Sequence, residues 1–169
     1  MRKKKDNTPP DYDAVKDKAL RLLSYRSHSE YELKQKLKVF GASTEDIDLV
    51  FEFLREYSLI NDSTYAQRLA SDLSNLKKYG KRRILQELMH KGINRETAEE
   101  ACDLLEADEE EALLPLMRKK LGGDFDKKSK DRAIRYFVTR GYSFSDIKSA
   151  IGQIMAEEDY TDDGEEYYD

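Results

Sequence analysis

Apolar residues recur at spacings of three and four along almost the whole chain, and strict alternation over strand-length windows does not occur. Leu is abundant, while Val, Ile and Thr are a minority, so the periodicity predicts helices throughout and an all-α fold. Three glycines organise the pattern. Gly41, Gly92 and Gly141 stand 51 and 49 residues apart, each at the end of one helical pattern and ahead of another. Leu37, Leu88 and Phe137 occupy the fourth position before them. Ser43, Asn94 and Ser143 follow as N-cap candidates, and Asp46 and Asp146 stand three residues beyond the two serines, as in a capping box. The next helix then repeats one apolar pattern in the same register: Ile47, Val50, Phe51 and Leu54; Ala98, Ala101, Cys102 and Leu105; Ile147, Ala150, Ile151 and Ile154.

A further helix opens each repeat. It is marked by Val15, Ala19, Leu22 and Leu23 in the first, by Tyr65, Leu69, Leu73 and Leu76 in the second, and by Ala112, Leu113, Leu116 and Met117 in the third. Ser29 with Glu32 reads as the cap of the second helix of the first repeat. The chain is therefore read as three tandem three-helix repeats at residues 14–60, 61–106 and 107–156, between a basic N-terminal arm at 1–13 and an acidic tail at 157–169. A three-helix repeat of about 45 residues is near the lower limit of independent stability. Stacking of neighbours into an elongated, curved array is expected to supply the remainder, with both arms mobile. Pro115 falls early in the seventh helix, in its first turn or at a kink, and Gly122-Gly123-Asp124 reads as the loop that follows.

Composition agrees with a thin core divided among small modules: of 169 residues, 38% are apolar and 38% charged. Unbroken apolar runs do not exceed three residues, far short of the roughly 20 that a membrane span needs. Met1-Arg2-Lys3-Lys4-Lys5 is followed by Asp6-Asn7-Thr8-Pro9-Pro10 rather than an apolar stretch, so no secretory leader is expected. One cysteine makes no internal disulfide, and the cytoplasm is the expected compartment.

The net charge of −5 conceals a segregation. Residues 157–169 carry eight acidic groups and no basic one, leaving 30 basic against 27 acidic over 1–156. Residues 76–95 hold Lys77, Lys78, Lys81, Arg82, Arg83, Lys91 and Arg95 against Glu87 alone. Five cations around Tyr79 and Gly80 at a helix start suit a phosphate backbone or an acidic protein groove. Lys128, Arg132, Arg135 and Arg140 sit in the equivalent stretch of the third repeat, and Arg26 in the first. Repeats that present cations from the same helix would line one basic stripe for a long polyanion.

Catalytic chemistry is sparse by comparison. His28 and His90 form no metal-spaced pair, and Cys102 shares its register with Phe51 and Ile151, which places it in the core. Gly122-Gly123 lacks the Lys-Ser/Thr of a nucleotide cradle. The acidic run 108–111 reads as a solvated helix start. Tyr31, Tyr57 and Tyr65 are expected to be buried. No catalytic residue, metal or cofactor is expected.

Four stretches carry a family resemblance. Ala19-Leu20-Arg21-Leu22-Leu23-Ser24-Tyr25-Arg26-Ser27-His28-Ser29-Glu30-Tyr31-Glu32-Leu33 resembles the first signature of the RecX family of recombination regulators. Leu59-Ile60-Asn61-Asp62-Ser63-Thr64-Tyr65-Ala66 resembles the second. Gly80-Lys81-Arg82-Arg83-Ile84 through Gly92-Ile93 is similar to the third, and Arg135-Tyr136-Phe137-Val138-Thr139-Arg140-Gly141-Tyr142-Ser143 to the last. The resemblance spans about residues 14–156. It implies a non-enzymatic modulator that binds the RecA recombinase, its filament on single-stranded DNA, and DNA without sequence preference. It implies inhibition of strand exchange and of the RecA ATPase, by lodging in the filament groove or blocking filament extension. The family's basic surface maps onto Lys81, Arg82, Arg83, Arg132, Arg135 and Arg140, with Arg26; Lys77, Lys78 and Lys128 complete the expected contact set. The chain departs from the family pattern at Asn61, where an acid is usual, and in its acidic, tyrosine-rich tail. A monomer with no membrane association is expected. Two other readings stay open at this point: a helix-turn-helix transcription regulator, suggested by helix pairs joined through a glycine turn, and a protein-only helical adaptor. The tail is either a solubilising segment or a competitor that folds back on the basic stripe.

Overall fold

The structure is a computed structural model that describes residues 9–105 and 109–162. Nine helices, and no strand, are present among the described residues. In chain order they are α1 (Tyr12–Tyr25), α2 (Glu30–Phe40), α3 (Thr44–Glu56), α4 (Asp62–Asn75), α5 (Lys81–His90), α6 (Arg95–Asp103), α7 (Glu109–Leu121), α8 (Lys127–Thr139) and α9 (Phe144–Asp162). The fold is all-α and built of tandem three-helix repeats. Residues 1–8 of the basic arm, residues 106–108 and residues 163–169 of the tail lie outside the described residues. α9 runs beyond residue 156 into the acidic segment, where the Glu157 carboxylate pairs with Arg118 of α7.

Helix starts follow the side chains named from sequence. Ser29 and Ser43 accept from the backbone N–H of Glu32 and Asp46, at 3.1 and 3.0 Å. Asn94 and Ser143 accept in the same way from Thr97 and Asp146, at 2.9 and 3.1 Å. Asn61 caps α4 through a 3.0 Å bond from Thr64 N–H, so an amide does here what a carboxylate would do. Asp11 and Asp126 cap α1 and α8, two caps not anticipated from the pattern. Pro115 lies within α7, beyond its first turn.

The described chain sorts into two compact units. One holds the residues up to Leu69 with Leu88–Ala98, the other Ala70–Glu87 with the residues from Glu99 on. The middle repeat is therefore divided between them. In the first unit α1, α2 and α3 pack on one another around Val15, Ala19, Leu33, Leu37, Ile47, Val50, Phe51 and Leu54. In the second, α7 and α8 pack on α9 around Leu113, Met117, Phe137, Ile147, Ala150 and Ile154. The three in-register patterns are buried as expected, except that Leu105 is only half-buried. Cys102 is a core residue.

Three expectations about burial fail. Tyr31 and Tyr57 are 52% and 61% exposed. Tyr31 sits off the Leu33–Leu37 face, and Tyr57 follows the end of α3 with its ring against Phe53. Leu76 is 75% exposed because α4 ends at Asn75. The fully buried positions of α4 are Ala66 and Ala70, small residues between the large ones that the pattern singled out.

Both units contain the same junction. In the first, the Ser29 hydroxyl donates to the carbonyl of Lys91, and Gly92 lies against Tyr31. In the second, Gly80 N–H donates to the carbonyl of Arg140 at 2.9 Å, and Gly141 lies against Arg83. Ser29 and Gly80 stand equally far ahead of Gly41 and Gly92, so the start of one repeat's second helix meets the glycine turn of the next. Ser29 both caps α2 and makes this bond. Ser29→Ala is expected to lower unfolding stability by about 2 kcal/mol, measured by chemical denaturation; a loss no larger than that of an exposed serine such as Ser63 would contradict the junction's role.

Candidate polyanion-binding site

The site is built on the loop between α4 and α5. Lys78 N–H donates to Ser74 O and Tyr79 N–H to Leu73 O, both at 3.1 Å, and Lys78 adopts a left-handed φ of 54°. On the other side, the Arg140 guanidinium donates to Lys77 O at 2.5 Å, and the Tyr142 hydroxyl reaches Lys78 O at 3.4 Å. The loop is thus pinned between the end of α4 and the turn after α8. Gly80 stands where α2 carries its Ser29 cap, and a glycine brings no side chain to accept from the first N–H groups of α5. The start of α5 is instead met by the turn after α8, whose Arg140 carbonyl accepts from Gly80 N–H.

Cations and tyrosines interleave around this loop. The guanidinium carbons of Arg83 and Arg140 each lie 5.7 Å from the Tyr79 ring centroid. Arg140 also lies 4.7 Å from the Tyr136 centroid, and Lys120 Nζ lies 4.2 Å from it. Arg83 forms a 2.7 Å ion pair with Glu87, and Lys81 approaches Asp103 at 3.9 Å. Lys77, Lys78 and Arg82 are exposed. Of the cations nominated from sequence, the structure brings Lys78, Lys81, Arg83 and Arg140 about Tyr79, while Lys77 gives its carbonyl to the Arg140 brace and has an exposed side chain. Arg140 is the least available, because it braces the Lys77 carbonyl and lies against the rings of Tyr79 and Tyr136. Lys128, Arg132 and Arg135 form a separate exposed row on α8, on the face away from the buried Ala133 and Phe137. Lys120 was not anticipated; only its place in the basic end of α7 could have suggested it.

Arg26 belongs to the first unit and serves a different arrangement. It pairs with Glu32 at 3.4 Å, while Lys91 Nζ reaches the same carboxylate at 2.8 Å and the Tyr65 hydroxyl donates to it at 3.1 Å. Burial alone would raise the Glu32 carboxyl, but the hydrogen bonds from Lys91, Arg26 and Tyr65 outweigh it and bring it down to about 2. Burial and the Glu32 charge push the Tyr65 hydroxyl up to about 12. Arg26 therefore holds α2 in place as well as presenting charge. His28 is buried beneath it, with Nδ1 2.9 Å from Arg26 O; burial keeps this imidazole below its usual pKa, so it is neutral at pH 7. Among the described residues no group of three or more His, Cys, Asp and Glu side chains could hold a metal ion, and no helix is long and apolar enough to cross a membrane.

The fold and this site define an all-helical protein of tandem three-helix modules with a cation-and-tyrosine cluster at one loop. Comparison with known proteins is specific. Residues 16–54 match the family model described as RecX, first three-helix domain, and residues 61–101 match that of the second. The regulatory protein RecX of Clostridioides difficile (strain 630) is 35% identical over 153 residues, covering 88% of this chain and 72% of that protein. The regulatory protein RecX of Vibrio vulnificus (strain CMCP6) is 36% identical over 146 residues, covering 85% and 94%. The crystal structure of RecX from Lactobacillus salivarius superposes with a TM-score of 0.78 at 25% identity, covering 86% of this chain and 97% of that one. The chain belongs to the RecX family. These relatives are named as regulatory proteins, not as enzymes.

Proposed function

We propose that this chain regulates a RecA recombinase in the cytoplasm, acting as a monomer and by binding rather than by catalysis. It binds the recombinase and its filament on single-stranded DNA, lodges in the filament groove or blocks extension, and so inhibits strand exchange and ATP hydrolysis. It also binds DNA without sequence preference through phosphate contacts. The observation that carries this reading is the cluster of Lys78, Lys81, Arg83 and Arg140 about Tyr79. Three tandem repeats at 14–60, 61–106 and 107–156 serve as the presenting scaffold, with Arg26 and the α8 row of Lys128, Arg132 and Arg135 as outlying contacts.

The test is to titrate the pure protein into RecA-coated single-stranded DNA while following ATP hydrolysis and strand exchange. Combined reversal of Lys78, Lys81 and Arg82 to Glu leaves Arg83, whose backbone supports Gly141, untouched. It is expected to weaken inhibition about tenfold or more. On free single strands, the salt slope should fall by about 0.7 for each phosphate that the variant no longer neutralises. Undiminished inhibition by the variant would remove this loop from the contact surface.

A further inference from the structure

We infer that a cavity beside Tyr79 takes one unstacked base of a single-stranded polynucleotide, with Lys78 and Lys81 of its lining meeting the flanking phosphates. The inference deepens the proposed function and rests on its polyanion-binding reading. The cavity lies within the second unit and has a volume of about 230 Å³. That is below the roughly 300–1,000 Å³ of sites that enclose drug-sized ligands, and it suits a single ring system. Its apolar lining includes Ile84, Ala112 and Leu116. Ser74 and Asn75 line it as well and bring groups able to hydrogen-bond the polar edge of a base. Tyr79 forms a wall and offers an aromatic surface.

Charge selects the occupant. Lys78 and Lys81 line the cavity, and Arg83 and Arg140 stand 5.7 Å from the ring of Tyr79. With Glu87 set against Arg83 and Asp103 against Lys81, these four cations still leave a positive surplus beside one small recess, which complements a chain that carries a phosphate on either side of each flat ring. An isolated apolar side chain of a protein partner would not need them. A base enters such a recess only when it is free of its stack, so the cavity favours single strands over duplex.

The experiment compares binding of the full chain, at low salt, to labelled oligothymidylate, to an abasic deoxyribose-phosphate oligomer of the same length, and to a duplex. Oligothymidylate is expected to bind about tenfold tighter than the abasic oligomer of equal charge. Ala112→Phe fills the cavity without removing a cation. It is expected to erase that difference and leave abasic and duplex binding unchanged. Thermal melting checks that the variant folds; should it not, Ala112→Leu gives the same reading with a smaller loss. Equal binding of the two single-stranded oligomers by the unmodified protein would overturn the base site while leaving the polyanion reading intact. A difference that persists in both variants would overturn it too, because bases are then read elsewhere. So would loss of filament inhibition in Ala112→Phe with the oligomer difference retained, since the cavity then receives a protein side chain. Absence of binding to all three nucleic acids would overturn the polyanion reading itself.

Discussion

Gly92→Ala and Gly141→Ala are each expected to lower unfolding stability by roughly 3 kcal/mol or more. A Cβ on Gly92 would lie 2.2 Å from Tyr31 Cβ, and one on Gly141 would lie 2.4 Å from the backbone nitrogen of Arg83. Neither obstacle is the free end of a flexible side chain, so helix and turn must separate. Both glycines also have positive φ, 80° and 93°, which an L side chain rarely adopts. Gly123 isolates the second factor: its φ is 81°, but nothing lies within 4 Å of an added Cβ. Gly123→Ala should therefore cost only about 1 kcal/mol. Hydrogen exchange should localise the damage, to α2 for Gly92→Ala and to the loop ahead of α5 for Gly141→Ala. The latter variant should also lose polyanion affinity, because the adjacent Arg140 carbonyl holds Gly80 and its guanidinium holds Lys77. Melting of Gly92→Ala or Gly141→Ala at the temperature of Gly123→Ala would refute the packing argument.

Glu32→Gln is the second large effect. The carboxyl, 14% exposed, is brought from 4.5 to about 2 in the folded chain. A depressed folded pKa means that its contribution is complete above the unfolded value and is lost as pH falls through the folded one. Glu32 is thus expected to contribute on the order of 3 kcal/mol at neutral pH, declining from about pH 4.5 toward pH 2. The Gln variant should be less stable by most of this at pH 7, and the two stability curves should converge as pH approaches 2. A constant gap between them across that range would show that the carboxylate's charge is not what the network uses. Tyr65→Phe removes one neutral donor and should cost less, about 1 kcal/mol.

Much of the fold was legible in the chain. The caps at Ser29, Ser43, Asn94 and Ser143 and the three repeated apolar patterns proved structural, because each depends on residues within about one or two helical turns. Periodicity erred where size mattered more than hydrophobicity. In α4 it favoured Tyr65, Leu69, Leu73 and Leu76, whereas close packing buries Ala66 and Ala70. It also placed Tyr31 in the core, although that side chain supports a glycine from the protein's surface. The cationic loop was visible as composition. What composition could not distinguish was the division of labour among the cations: Arg140 braces the loop, Arg26 holds Glu32, and Lys128, Arg132 and Arg135 stand apart on α8.

By itself the sequence determined the helices, most of their starts, the threefold recurrence and the segregation of charge, since these are properties of neighbouring residues and of sums along the chain. Only the tertiary structure decided which cations share a site. The contacts that do so join residues 63 apart for Arg140 and Lys77, and 59 apart for Lys91 and Glu32. No local periodicity encodes a pairing at that distance; it arises when a glycine turn without a side chain lets one helix start settle against the next repeat and carries the charged groups on both into reach.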